Sequence, residues 1–175
     1  MHKPDIILIT ESWCNSDIPD SNLNLINYEL VTDLRRDRID TGGGKGGGVL
    51  VYCKKGLVIL AKENILDFNQ YVNFTIQTCQ EDVNVFLIYR PPSCSKENSD
   101  KLCQIMCNLP KNSIVIGDFN YPKINWLNNT AESVVGREFL NVCLDNNLTQ
   151  YVDFVTHEKN NILDLVFDND DSVVK

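Results

Sequence analysis

The chain has no run of 18 apolar residues, so the sequence offers no membrane-spanning helix. Its first residues, Met1-His2-Lys3-Pro4-Asp5, do not form the basic stretch and apolar core of a secretory signal, so an intracellular location is expected. It has no C-x-x-C pair. The seven cysteines (14, 53, 79, 94, 103, 107 and 143) are odd in number and scattered, and are expected to be free thiols. Cys103 and Cys107 are four apart and share a helix face, but zinc needs two more ligands, and the only histidines, His2 and His157, are remote in sequence. Neither G-x-S-x-G nor H-E-x-x-H occurs, which excludes the hydrolase and metalloprotease arrangements built on them. An excess of positive charge is missing too. The net charge of −8 is the reverse of what a purely electrostatic nucleic-acid binder carries.

What is present is an ordinary globular composition, 43% hydrophobic and 23% charged, in 175 residues, which is the size of one domain spanning 1–175. The charge is uneven. Residues 35–62 hold seven basic and two acidic groups, whereas both flanks are acidic. The basic segment includes Arg35, Arg36 and Arg38, a candidate contact for phosphates. The glycine run 42–48 is broken only by Lys45, which is followed by Gly46 rather than Ser or Thr. The run leads into a strand, so it reads as a hairpin connection and not as a Walker A loop.

Hydrophobic periodicity predicts strands at 6–9, 28–32, 49–53, 58–60, 71–79, 83–89, 113–116 and 162–167. The continuous apolar run at 6–9 suggests a strand covered on both faces. The alternation at 71–79 suggests a half-buried one, with Asn73 and Thr75 on the open side. Leu102, Ile105, Met106 and Leu109 mark one helix. Val135, Phe139 and Cys143 mark another, with Asn129 and Glu132 suited to its N-cap. Strands outnumber helices, so the expected fold class is α/β, with two mixed, mostly antiparallel sheets packed face to face and helices outside.

Three carboxylates stand out by position. Glu11 and Asp118 each follow an apolar strand, and Asp164 interrupts one between Leu163 and Leu165. A carboxylate in such a strand is costly to bury unless it is paired or bound to a cation, and oxygen-only ligands suit Mg²⁺. Asn120 adds an amide to the Asp118 loop. His157 lies in a polar stretch and is expected to be solvated.

Five segments occur in a telling order: Pro4-Asp5-Ile6-Ile7-Leu8-Ile9-Thr10-Glu11-Ser12-Trp13; Gly46-Gly47-Gly48-Val49-Leu50-Val51-Tyr52; Tyr89-Arg90-Pro91-Pro92-Ser93; Gly117-Asp118-Phe119-Asn120; and Asn160-Asn161-Ile162-Leu163-Asp164-Leu165-Val166-Phe167. Together they resemble the endonuclease/exonuclease/phosphatase superfamily, and within it the endonuclease domain of non-LTR retrotransposons of the jockey and CR1 type. The resemblance implies a four-layer α/β sandwich and a Mg²⁺-dependent phosphodiesterase (Mn²⁺ a possible substitute). Such an enzyme nicks DNA, would act in the nucleus if its substrate is genomic DNA, and leaves a 3′-hydroxyl for a linked reverse transcriptase domain. It implies Glu11 as metal ligand, Tyr89 as a contact to the scissile phosphate, Asp118 as the group that positions or deprotonates water, and Asn120 as a phosphate holder. Asp164 would join the same network near the metal. The family pattern also has an N-terminal strand bearing an Asn and a C-terminal Ser-Asp-His, and this chain matches neither. A domain truncated at both ends, reduced in activity or a catalytically inactive relic, is therefore expected. A small-molecule phosphatase of the same superfamily is a lesser alternative, with Arg35, Arg36 and Arg38 as its only candidate headgroup pocket.

Overall fold

The computed structural model describes residues 3–38, 46–64, 66, 68 and 71–170. Most of the glycine run read as a hairpin connection falls at residues 39–45, outside the described residues. The elements in chain order are β1 (Ile6–Thr10), β2 (Tyr28–Leu30), β3 (Val49–Lys54), β4 (Ile59–Lys62), β5 (Tyr71–Ile76), β6 (Val83–Tyr89), α1 (Lys96–Cys107), β7 (Ser113–Asp118), β8 (Ile124–Asn125), β9 (Thr130–Ala131), α2 (Val134–Asp145), β10 (Thr149–Gln150) and β11 (Asp164–Asp168). No helix among the described residues is long and apolar enough to cross a membrane. All seven cysteines are free.

Two main sheets form. One is three-stranded in the order β1-β3-β2, and the other is six-stranded in the order β10-β11-β7-β6-β5-β4. Every pairing in them is antiparallel except β6 with β7. A parallel pair needs a crossover, and α1 supplies it. Apolar residues alternate along the strands, so each sheet buries both faces. Val49, Val51, Val72, Phe74, Val85 and Leu87 fill the space between the sheets. Phe86, Ile88, Val115, Leu165 and Phe167 pack on the other side against Leu102 and Met106 of α1 and Phe139 and Leu140 of α2. The outer face of the small sheet is covered by Cys14, Ile18 and Leu23, from a segment whose only helical part is a 3-10 turn at Asp20–Leu23. The layers thus run helices, large sheet, small sheet, covering loop.

Three local expectations change. Asn73 and Thr75 are buried, because neighbouring polar groups take them up: the Asn73 amide donates to Asn64 Oδ1 at 3.2 Å and the Thr75 hydroxyl to Asn84 Oδ1 at 3.1 Å. β1 is half-buried along its whole length, because it is the edge of its sheet. The second helix is capped by Ser133, whose hydroxyl accepts from the Gly136 N–H at 3.1 Å. Asn129 instead takes a φ of 53° in the tight β8–β9 hairpin, a position that Asn tolerates better than most residues. α1 is capped in the same way by Ser95, which accepts from the Asn98 N–H.

One glycine is indispensable to this topology. Gly117 has a φ of 151°, and a Cβ there would stand 1.8 Å from the Ile88 carbonyl oxygen on the parallel neighbour. Gly56, at a φ of 89°, has nothing within 4 Å. Gly117→Ala is therefore expected to cost about 3 kcal/mol or more, lowering the thermal midpoint by about 10 °C. Gly56→Ala should cost only the left-handed backbone penalty of about 1–2 kcal/mol. Equal midpoints for the two variants by circular dichroism would contradict this.

Candidate active site

The register of the large sheet sets three functional side chains abreast. Tyr89, the last residue of β6, pairs with Asp118, the last of β7, and Asp118 pairs with Asp164, the first of β11. Directly paired residues share a face. This row lies on the same face as Leu87 and Ile116, which pack between the sheets. Glu11 follows β1 in the opposing sheet, and its charge acts on the Tyr89 hydroxyl and on Asp118. The four residues ring the mouth of the inter-sheet cleft. A cavity of about 350 Å³ lies alongside, lined in part by Thr10, Ile116, Phe154 and Asp164.

The loop after β7 is held by its middle residue. Phe119 is fully buried, 5.5 Å from the ring of Phe139 and 5.5 Å edge-on from that of Phe167. Its N–H donates to the Leu163 carbonyl at 2.8 Å. With Phe119 driven into the helix-side core, the polar residues on either side must point the other way. Asn120, at a φ of 48°, then turns back on Asp118. Its backbone N–H donates to Oδ1 at 3.1 Å and its Nδ2 to Oδ2 at 2.9 Å. The same Nδ2 donates to the Arg90 carbonyl at 3.0 Å. Both amide hydrogens of Asn120 are therefore used within the protein; one of them, with the backbone N–H, orients Asp118.

Arg90 has no role in the sequence reading, yet it closes this loop from below. It is 6% exposed, its guanidinium lies 4.1 Å above the Tyr121 ring, and its Nη1 donates to the Asn120 carbonyl at 3.0 Å. Its backbone N–H donates to the Asp118 carbonyl at 2.8 Å. The only sequence signal was a cation placed directly after an apolar strand. Thr156 was also missed. Its hydroxyl accepts from the N–H groups of both Leu163 and Asp164, fixing the start of β11.

Asp164 corrects its own expectation. It is exposed at the head of β11 rather than buried within an apolar strand, so it carries no large burial cost. Its charge still acts on its neighbour. Burial, then the negative charge of Asp164 and that of Glu11, push the half-buried Asp118 carboxyl up from 3.8 to about 6, against the lowering effect of the Asn120 hydrogen bonds. Tyr89 is pushed well above the usual phenol range by burial, then by its hydrogen bond to Glu11 and the charges of Glu11 and Asp118, and so stays a proton donor.

Glu11 is seated by backbone geometry. Its φ is 55°, and its Oε2 accepts from the Gly47 N–H at 2.8 Å and from the Trp13 indole N–H at 2.5 Å. Gly46 takes a φ of 110°, which side-chain-bearing residues adopt only under strain, and a Cβ there would stand 2.9 Å from that oxygen. Among the described residues no three His, Cys, Asp or Glu side chains converge into a ready-made metal cage. Mg²⁺ does not require one, since it commonly takes one or two carboxylates with waters and substrate phosphate. Three carboxylates near one another, one of them raised by burial and then by the charges of the other two, fit such a cation.

Other expected groups lie elsewhere. His157 forms a bridge with Asn161 and its Nδ1 accepts from the Lys159 N–H at 3.3 Å, within its own turn. Arg35 is not an open phosphate contact: it pairs with Asp20 at 2.5 Å and Asp37 at 2.7 Å and donates to the Asn15 carbonyl.

The raised Asp118 value has a sign. Folding favours the protonated acid, so this stabilisation is complete below about pH 4 and is lost as the pH rises through about 6. The midpoint difference between Asp118→Asn and wild type is expected to shift in favour of the variant by about 3 °C from pH 4 to pH 7, corresponding to about 1 kcal/mol once solvent screening of a half-buried group is allowed for. A difference independent of pH would contradict the assignment.

The endonuclease-reverse transcriptase family model matches residues 83–175. No curated protein matches the chain. Among solved structures, the endonuclease domain of TRAS1, a telomere-specific non-LTR retrotransposon, superposes with a TM-score of 0.67 at 15% identity, over 95% of this chain and 73% of that one. The AP endonuclease LMAP from Leishmania major gives 0.62 at 13% identity, over 94% and 69%. D. rerio TDP2 complexed with a single-stranded DNA product gives 0.50 at 14% identity, over 94% and 70%. At such identities these likenesses concern the fold. Together with the family match over more than half of its length, they establish that the chain belongs to the endonuclease-reverse transcriptase family and has the endonuclease/exonuclease/phosphatase fold.

Proposed function

We propose that this chain is a Mg²⁺-dependent DNA endonuclease domain of a non-LTR retrotransposon protein, which hydrolyses one phosphodiester bond and leaves a 3′-hydroxyl for a reverse transcriptase domain of the intact element. The observation that carries this reading is the row Tyr89, Asp118 and Asp164, in register on three adjacent strands and faced by Glu11.

Glu11 is the residue that would hold Mg²⁺, with Mn²⁺ as a substitute. Bound there, the ion supplies charge stabilisation on the phosphoryl oxygens. The remaining steps belong to the chain. Tyr89, kept protonated, donates its O–H to a non-bridging oxygen of the scissile phosphate. Asp118 accepts a proton from the attacking water as the water oxygen bonds to phosphorus and the P–O3′ bond breaks, the released 3′-oxygen taking its proton from solvent. The raised pKa makes Asp118 a better base near neutral pH than an ordinary aspartate. Asn120 holds that carboxylate in one orientation through two hydrogen bonds. Burial and then the charge of Asp164 keep the Asp118 pKa raised, and Arg90 fixes the loop that carries the base.

A second reading, the fold without the reaction, is favoured by one observation. His157 is engaged in its own turn and does not face the carboxylates, so no imidazole among the described residues is placed to protonate a leaving group.

Conversion of supercoiled plasmid to the nicked circle separates the two readings. Purified wild type is expected to nick in Mg²⁺ and not in EDTA, with activity rising as the pH passes through about 6. Asp118→Ala should lower the rate by about 10² or more, the scale of a lost general base. Folded wild type that nicks no faster than Asp118→Ala would establish the second reading.

A further inference from the structure

Trp13 is held in a way that core packing does not explain. It follows Glu11 by two residues, and both take positive φ, 55° at Glu11 and 57° at Trp13. For a bulky residue this conformation is strained, and strain of that kind persists only where the surroundings enforce it. Here they do. The Trp13 backbone N–H donates to the Gly47 carbonyl at 3.0 Å, and the indole N–H donates to Glu11 Oε2 at 2.5 Å. Yet the side chain is 60% exposed, although the next residue, Cys14, is buried. The ring's polar edge is thus tied to the site while much of its apolar surface faces water. A tryptophan needed only to shield Glu11 would bury that surface. One used to bind a flat partner would present it.

Resting on the nuclease reading above, we propose that Trp13 is a stacking platform for a nucleobase next to the phosphate held between Glu11 and Asp118, and that its partner is a base not engaged in a pair. A base inside an intact duplex has both faces covered by its neighbours. An unpaired one can leave the stack and lie on the indole, and base–aromatic stacking tolerates any sequence because every base has a π-face. The hydrogen bond to Glu11 limits how far the ring can turn, so little freedom is lost on binding. Trp13 touches the substrate in this account but takes no part in proton transfer.

The test uses a short DNA duplex with one unpaired 2-aminopurine, beside the fully paired duplex, in Mg²⁺. Protein carrying Asp118→Asn serves as the parent, so the DNA stays intact. The parent is expected to quench the 2-aminopurine fluorescence and to prefer the unpaired duplex. Adding Trp13→Ala should abolish the quench and weaken binding of that duplex by about 5- to 100-fold, with little effect on the paired one. Adding Trp13→Phe, which keeps a ring but loses the N–H, should retain most of the preference. Equal quenching and affinity with Trp13→Ala would overturn the proposal. So would equal losses with Ala and Phe, which would assign the effect to the Glu11 contact instead of stacking. A parent that binds neither duplex would overturn it too. Plasmid nicking by wild type decides the nuclease reading separately: nicking that persists alongside indifferent Trp13 variants removes only the stacking claim.

Discussion

The parallel pairing of β6 with β7 is the constraint on which the site depends. It sets Tyr89 beside Asp118, and it is possible only because residue 117 has no side chain to strike the Ile88 carbonyl. On the far side, β11 pairs antiparallel to β7, so Asp164 enters the same row from its strand's start while the other two leave from their strands' ends. Phe119 fixes this register in depth. Its ring, wedged between Phe139 and Phe167, prevents the Asp118–Asn120 loop from turning over. The apolar core and the polar site are two faces of one three-residue segment.

Electrostatics then follow from crowding. Burial raises Asp118 first, and Asp164 and Glu11 sit close enough for their charges to raise it further. Such an arrangement works against stability and is relieved by a cation or by a proton. The surrounding structure holds it in place. Arg90 and Asn120 brace the Asp118 loop, Thr156 braces the start of β11, and the Gly46–Gly47 turn and the Trp13 indole brace Glu11. Among the described residues, Glu11 and Trp13 are the two with positive φ that are neither glycine nor asparagine, and both lie here, as expected where geometry serves chemistry more than folding.

Much of this was legible in the sequence. The apolar runs marked the strands, the positions of Glu11 and Asp118 after such runs marked two of the residues that now meet, Asp164 stood out by interrupting a run, and the family resemblance supplied Tyr89. What was not legible depended on long-range contacts. Alternation along β5 could not reveal that Asn64 and Asn84 would take up Asn73 and Thr75 in a buried position. Asn129 and Glu132 had the spacing of a cap, but a two-stranded hairpin claimed Asn129 and left the cap to Ser133. Asp164 looked buried because its sequence neighbours are apolar, and only its position at the head of the strand leaves it exposed. The roles of Arg90, Thr156 and Trp13 arise from partners up to 34 residues away, or from backbone angles that no local pattern encodes.

The central claim is that Glu11 is seated to hold a hard cation in front of the charge on Asp118 and Asp164. Calorimetric titration of the DNA-free protein with Mg²⁺ tests it most directly, because it needs neither substrate nor turnover. The account predicts one bound ion in wild type and affinity at least about tenfold weaker in Glu11→Gln, corresponding to about 1.4 kcal/mol of lost binding. Equal Mg²⁺ binding by the two proteins, both folded, would contradict it.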